Sequence, residues 1–173
     1  MNNRKFILDS NIFIQAKRLY YPFNFCEGFW DWLKIINGEN NIISIDKVYH
    51  ELQHADYPDD LSDWAKKNKK LFAEFDGKSI PALKQIRYLL EINKVNENYI
   101  RDFLETDIAD PFLIAYAKTH DLVLITHESK ATNSIFCSRK KIQMPNVCDA
   151  LGVKCIQIFD LMRKTNNHKL VLK

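Results

Sequence analysis

Residues 109–128 read ADPFLIAYAKTHDLVLITHE: a helix, a turn, a buried strand and an acid in immediate succession. Phe112, Leu113, Ala115, Tyr116 and Ala117 mix large and small packing residues on a helix that Asp107 is placed to start. Leu122-Val123-Leu124-Ile125 follows, entered from His120-Asp121 and left at Thr126. A short unbroken apolar run fits a strand covered on both faces, as in a parallel sheet. Glu128 stands just beyond the end of that strand.

The same order recurs toward the N-terminus. Phe6-Ile7-Leu8 is a second compact apolar run, and Asp9-Ser10-Asn11 ends it, with Ser10 or Asn11 placed to cap a helix through IFIQAKRLY. Phe25, Phe29, Trp30, Leu33 and Ile36 recur at helical spacing until Asn37-Gly38 stops them. Ile42-Ile43 reads as another strand; Ser44 or Asp46 then caps a helix to about His54, with Val48 and Leu52 on its inner side. From about 59 to 105 the sequence predicts helix after helix. LSDWAKKNKKLFAEF puts Leu61, Trp64, Leu71, Phe72 and Phe75 near one face under a lysine-rich exterior, and IPALKQIRYLLEI and NENYIRDFLE follow. The remainder reads as a loop from Ser129 to Gln143, a helical turn to Leu151-Gly152, an apolar run Cys155-Ile156-Gln157-Ile158 and a last helix through Met162. Strands alternating with helices predict an α/β fold, a three-layer α/β/α arrangement with a short central parallel sheet. The 173 residues fit a single domain over 1–173, with about 59–105 as a helical insertion.

Bulk properties exclude several classes. A hydrophobic content of 46% with 12% aromatic residues is incompatible with disorder throughout. A net charge of +3 does not by itself mark a nucleic-acid binder. Cys26, Cys137, Cys148 and Cys155 form no CxxC pair, and with no secretory signal they read as reduced thiols of a cytoplasmic protein. No apolar stretch approaches the roughly 20 residues of a membrane span. Four glycines leave no G-x-G-x-x-G or phosphate-binding P-loop, and no G-x-S-x-G is present.

What remains is a set of acids. Asp9 and Glu128 follow strands, and in α/β sheets the site lies beyond the carboxyl ends of the strands. Glu51 sits on the helix after Ile42-Ile43, and Asp110 opens the ADPFLIAYA helix beside Pro111. Each alone reads as a helix cap or a solvated turn. Folded together, the four would repel one another, and a hard divalent cation held by oxygen ligands is the natural compensation. Asp9 and Asp110 are the expected direct ligands, with Glu51 and Glu128 completing the sphere or positioning a water. Ser10, Asn11 and Thr126 are placed to orient the carboxylates by hydrogen bonds. Asp107, one turn before Asp110, reads first as a cap and second as a further member of the cluster.

A strand ending in Asp-Ser-Asn, a helix with an inward Glu51, the helix of Ala109-Asp110 and a strand leading to Thr126-His127-Glu128 resemble, in that order, the PIN-domain nucleases. THESK and KIQMPNVCDALGV resemble more specifically a prokaryotic PIN-like branch (DUF4411-like) whose members are regarded as toxins of toxin–antitoxin pairs. The resemblance implies a PIN-like fold and a catalytic, metal-binding set Asp9, Glu51, Asp110 and Glu128 holding Mg2+ or Mn2+. It also implies cleavage of RNA phosphodiesters to a 5′-phosphate and a 3′-hydroxyl, an antitoxin protein as partner and a homodimer as an allowed state. One departure stands out: the family's fourth acid is Asp, and Glu128 reaches one methylene further.

A second metal motif overlaps the first. His50-Glu51-Leu52-Gln53-His54 is a literal H-E-x-x-H, which on a helix sets two imidazoles for Zn2+ with the Glu as general base of a peptidase. Its third ligand would have to be His120, His127 or an acid, none at a recognisable spacing. A third reading is a non-catalytic PIN-like binding module in which Glu128 marks a lost site. Lys130, Arg139, Lys140 and Lys141 follow Glu128; they are a solvated loop by default and a phosphate-holding rim if the acids form a site. Tyr20, Tyr21 and Phe23 could stack on bases or pack in the core. Lys66, Lys67, Lys69 and Lys70 read as the wet face of their helix.

Overall fold

The computed structural model describes residues 5–39, 41–53, 59–130, 137–138 and 141–165. Short apolar runs become strands: β1 (Phe6–Leu8), β2 (Ile42–Ile45), β3 (Phe72–Ala73) and β4 (Val123–Ile125), then the antiparallel pair β5 (Cys137–Ser138) and β6 (Lys141–Ile142), and β7 (Cys155–Ile156). All but β5 and β6 join one parallel sheet in the order β3-β2-β1-β4-β7. The chain therefore leaves β1 on one side through β2 and β3, and returns on its other side through β4 and β7. The order reverses between β1 and β4, where Phe6, Ile7 and Leu8 pair with Val123, Leu124 and Ile125.

Helices cover the sheet as a three-layer α/β/α fold. They are α1 (Ser10–Gln15), α2 (Glu27–Gly38), α3 (Asp46–Gln53), α4 (Asp60–Lys67), α5 (Ile80–Ile92), α6 (Glu97–Phe103), α7 (Asp110–Thr119), α8 (Met144–Leu151) and α9 (Ile158–Lys164). α3 packs against α1 and α4, and Trp30 of α2 meets Trp64 of α4 with ring centroids 5.0 Å apart. α7 packs along α5 and against α8. Leu113, Ile114, Ala115 and Ala117 of α7 are all buried, so this helix is apolar nearly all round and central rather than amphipathic. α8 ends at Gly152, whose φ of +71° is the left-handed conformation that glycine adopts without a Cβ clash. Among the described residues no helix is long and apolar enough to cross a membrane.

Several local expectations are corrected. The helix expected through LFAEF stops at Lys67; a 3-10 turn over Lys69–Leu71 follows, and Phe72–Ala73 enter the sheet as β3 beside β2. Leu71 and Phe72 fit either period, and the open edge of β2 decides between them. Segment 59–105 thus supplies the edge strand as well as helices. Residues 16–20 continue α1 as a π-helical turn, and α2 opens at Glu27, leaving Phe25 exposed. Cys155-Ile156 is strand, but Ile158 already belongs to α9. The Ser129–Gln143 loop holds the β5–β6 pair. Ser44 caps nothing: its hydroxyl donates to the Leu8 carbonyl at 2.7 Å.

Candidate active site

Asp9 is the first residue past β1 and is fully buried. Its backbone N–H donates to the Ile125 carbonyl at 3.0 Å, which carries the β1–β4 pairing one residue further and sets Asp9 level with Thr126. The Thr126 hydroxyl donates to Asp9 Oδ2 at 2.7 Å, and Thr126 Oγ1 in turn accepts from Glu128 N–H at 3.1 Å. Ser10 Oγ and Asn11 Nδ2 donate to Asp9 at 3.3 and 3.4 Å. Ser10, Asn11 and Thr126 all converge on one carboxylate. Neither Ser10 nor Asn11 caps α1, because Asp9 itself occupies the N-cap position.

Both glutamates attach to helix N-termini from a distance. Glu51 Oε1 accepts from Ala109 N–H at 2.8 Å, so α3 supplies the polar cap of α7. That bond corrects the role expected of Asp107, which is exposed in the preceding turn while α7 opens at Asp110 with Pro111 in its first turn. Glu128 Oε2 accepts from Met144 N–H at 3.0 Å, the first residue of α8. Carboxylates at helix N-termini are stabilised by the positive end of the helix dipole, which offsets part of the crowding.

Charge completes the picture. Burial pushes the Asp9 carboxyl up to about 6; the Thr126 hydrogen bond opposes this, and the negative charges of Glu128 and Glu51 add to the rise. The Cys155 sulfur, burial and the charges of Asp110 and Glu128 push the Cys148 thiol far up, so Asp110 at the start of α7 and Glu128 in the loop past β4 both lie within electrostatic range of it. Glu51 and Asp110 also line one cavity with Ser10 and Asn11. Glu51 and Glu128 thus act on Asp9, and Asp110 shares a cavity with Glu51, at the carboxyl end of the sheet near the point where the strand order reverses, the usual place for a site in an open α/β sheet. Among the described residues no three His, Cys, Asp or Glu side chains stand as a preformed metal-binding group. The donor set still suits a hard divalent ion: it is all oxygen, and Asp9 carries repulsion that a cation would relieve.

Other candidates fall elsewhere. His50 is exposed and lines a separate hollow with Tyr49, Lys69 and Phe72, while Glu51 is directed at α7; His54 lies outside the described residues. His120 lies 3.0 Å from Asp76, and His127 stacks on Tyr20 with centroids 5.8 Å apart. Tyr21 and Phe23 stack on Phe29 and Trp30 and pack, half-buried, against the core, whereas Tyr20 stays exposed. Lys130 pairs with Asp149 at 2.6 Å. Arg139, Lys140 and the Lys141 side chain lie outside the described residues. Lys66, Lys67, Lys69 and Lys70 are exposed. The far wall of the cavity comes from α6 and was not anticipated. Tyr99, Asp102 and Phe103 stand at helical spacing in NENYIRDFLE, and that spacing was the available signal.

A family model described as a domain of unknown function (DUF4411) matches residues 6–168. No curated protein matches the chain. Among solved structures it is similar to VapBC2 from Rickettsia felis bound to a DNA fragment from their promoter, with a TM-score of 0.55 and 16% identity. That likeness covers 88% of this chain and 97% of the other, and at this identity it speaks for the fold, which is PIN-like.

Proposed function

The chain belongs to the DUF4411 family, and from that premise we propose that it is a divalent-metal-dependent endoribonuclease, the toxin of a type II toxin–antitoxin pair. The observation that carries this reading is Asp9, a buried carboxyl held at a topological switch point with Glu51 and Glu128 acting on it. A fold does not make such an arrangement for stability, because each added negative charge there costs free energy. The order of the acids along the chain, which resembles that of PIN nucleases, supports RNA as substrate and an antitoxin as partner in the cytoplasm.

Asp9 and Asp110 would hold Mg2+ or Mn2+, with Glu51 and Glu128 completing the sphere or orienting the attacking water. When bound, the ion supplies Lewis acidity, polarising a phosphoryl oxygen and lowering the pKa of a water. Thr126, Ser10 and Asn11 hold the Asp9 carboxylate in one orientation, and the α7 cap made by Glu51 fixes the helix start that carries Asp110. Lys130, Arg139, Lys140 and Lys141 would steady the polyanionic backbone. Water attack on phosphorus breaks the P–O3′ bond and leaves a 5′-phosphate and a 3′-hydroxyl.

The test is cleavage of single-stranded RNA by wild type and Asp9→Asn, with Mn2+ and with EDTA. Wild type should cleave only with metal, and Asp9→Asn should be slower by roughly 100-fold or more. Equal rates for the two proteins, or cleavage that persists in EDTA, would overturn the mechanism.

A further inference from the structure

The cavity that holds Glu51 and Asp110 has a second wall that the proposed chemistry does not use. About 330 Å³ in volume, it is bounded there by Tyr99, Asp102 and Phe103 of α6 and by Ile108. Asp102 and Phe103 follow Tyr99 by three and four positions, so the three side chains share one flank of the helix. Phe103 is buried and Tyr99 half-buried, while Ile108 and Asp102 reach solvent at the rim. Arg101 comes within 3.8 Å of Asp102, but both are exposed, and a pair so long and wet does not hold the carboxylate. The wall sets a half-buried tyrosine ring and two apolar side chains beside one exposed carboxylate.

We propose that this wall is a recognition pocket for one unpaired guanine base of a single-stranded RNA. The proposal rests on the ribonuclease reading for the strand it belongs to, and on the cavity alone for the base. Three chemical facts point to guanine. Among the described residues the α6 side of the cavity offers a carboxylate and no cation, so it suits the neutral base of a nucleotide rather than its phosphate, which the proposed ion and basic loop would hold. Proteins read single-stranded RNA by stacking a splayed base on an aromatic ring and bonding its Watson–Crick edge, and Tyr99 is a half-exposed ring in the right place. A carboxylate is acceptor-only, with two oxygens side by side. Guanine offers two adjacent donors on one edge, N1–H and the 2-amino group. Adenine and cytosine set one amino donor beside an accepting ring nitrogen, and uracil sets one donor between two carbonyls.

Fluorescence anisotropy of labelled pentamers r(UUGUU), r(UUAUU), r(UUCUU) and r(UUUUU), in EDTA at low salt, tests the pocket without cleavage. Full-length wild type should bind r(UUGUU) about 10-fold more tightly than the others. Asp102→Asn should erase the preference, Tyr99→Ala should weaken all four probes, and Tyr99→Phe should restore binding. Equal affinities for the four pentamers, or a guanine preference that survives Asp102→Asn, overturns the pocket. Adding Mn2+ to the same samples separates the two readings. Cleavage without base preference sinks the pocket and leaves the nuclease standing. A guanine preference through Tyr99 and Asp102 with no cleavage does the reverse.

Discussion

At the scale of single residues, the Asp9 carboxyl has a pKa of about 6 in the folded protein against an ordinary value of 3.8. Because the folded value is the higher one, its contribution to stability is full below about pH 4 and is lost as pH rises through about 6. The gap between the two values corresponds to about 3 kcal/mol lost by about pH 8 without metal. Asn cannot ionise, so in EDTA Asp9→Asn should gain about 3 kcal/mol relative to wild type between about pH 4 and pH 8, read from urea unfolding. Mn2+ should close that gap in wild type. A difference that stays constant with pH would mean that Asp9 is not the strained acid. Thr126 gives a second handle, since its hydroxyl both donates to Asp9 and accepts from Glu128 N–H. Thr126→Val should cost about 2 kcal/mol at about pH 8, and Thr126→Ser much less. The placement of Asp9 was legible, because a short apolar run followed by Asp-Ser-Asn marks a strand exit. Its burial was not, because the residue that satisfies it lies 117 positions away.

Helices α7 and α8 depend on glutamates from other elements, and this is where the sequence misleads most. Asp107 looks like a cap because caps are normally local; the real cap of α7 comes from 58 residues earlier. No periodicity reports a partner at that separation. H-E-x-x-H is the opposite case, local and literal, yet the fold directs Glu51 at the start of α7 and leaves His50 on another hollow, with His54 outside the described residues. Two-residue β3 was hidden because Leu71 and Phe72 also fit a helical face. The dual use of Glu51 separates by substitution. Glu51→Gln keeps an oxygen for Ala109 N–H and removes the charge acting on Asp9, so its thermal midpoint should match or exceed that of wild type near pH 8. Glu51→Ala loses the cap and should cost about 1 kcal/mol. Both should lose RNA cleavage. Equal destabilisation by the two changes would dismiss the cap, and full activity in Glu51→Gln would dismiss the catalytic role.

For the molecule as a whole, the alternation of strands and helices was enough to read a three-layer α/β/α fold, but not the strand order that makes the site. Order follows from which edges the crossovers reach, and short strands such as Phe6–Leu8 carry little register information of their own. Segment 59–105 matters most here. Expected as a helical insertion, it contributes β3 to the sheet and α5 to the flank of α7, the helix that carries Asp110. Ile86 of α5 is fully buried, and Ile86→Ala should cost about 2–5 kcal/mol through lost burial and the cavity left behind. If the segment folds with the rest, that loss reaches the whole chain. Tryptophan fluorescence, from Trp30, Trp32 and Trp64 on α2 and α4, should then shift to lower urea together with far-ultraviolet circular dichroism. A tryptophan transition that stays at the wild-type midpoint while the dichroism shifts would instead mark α5 as a separable unit, and Asp110 would then be held by a scaffold that can open independently of the sheet.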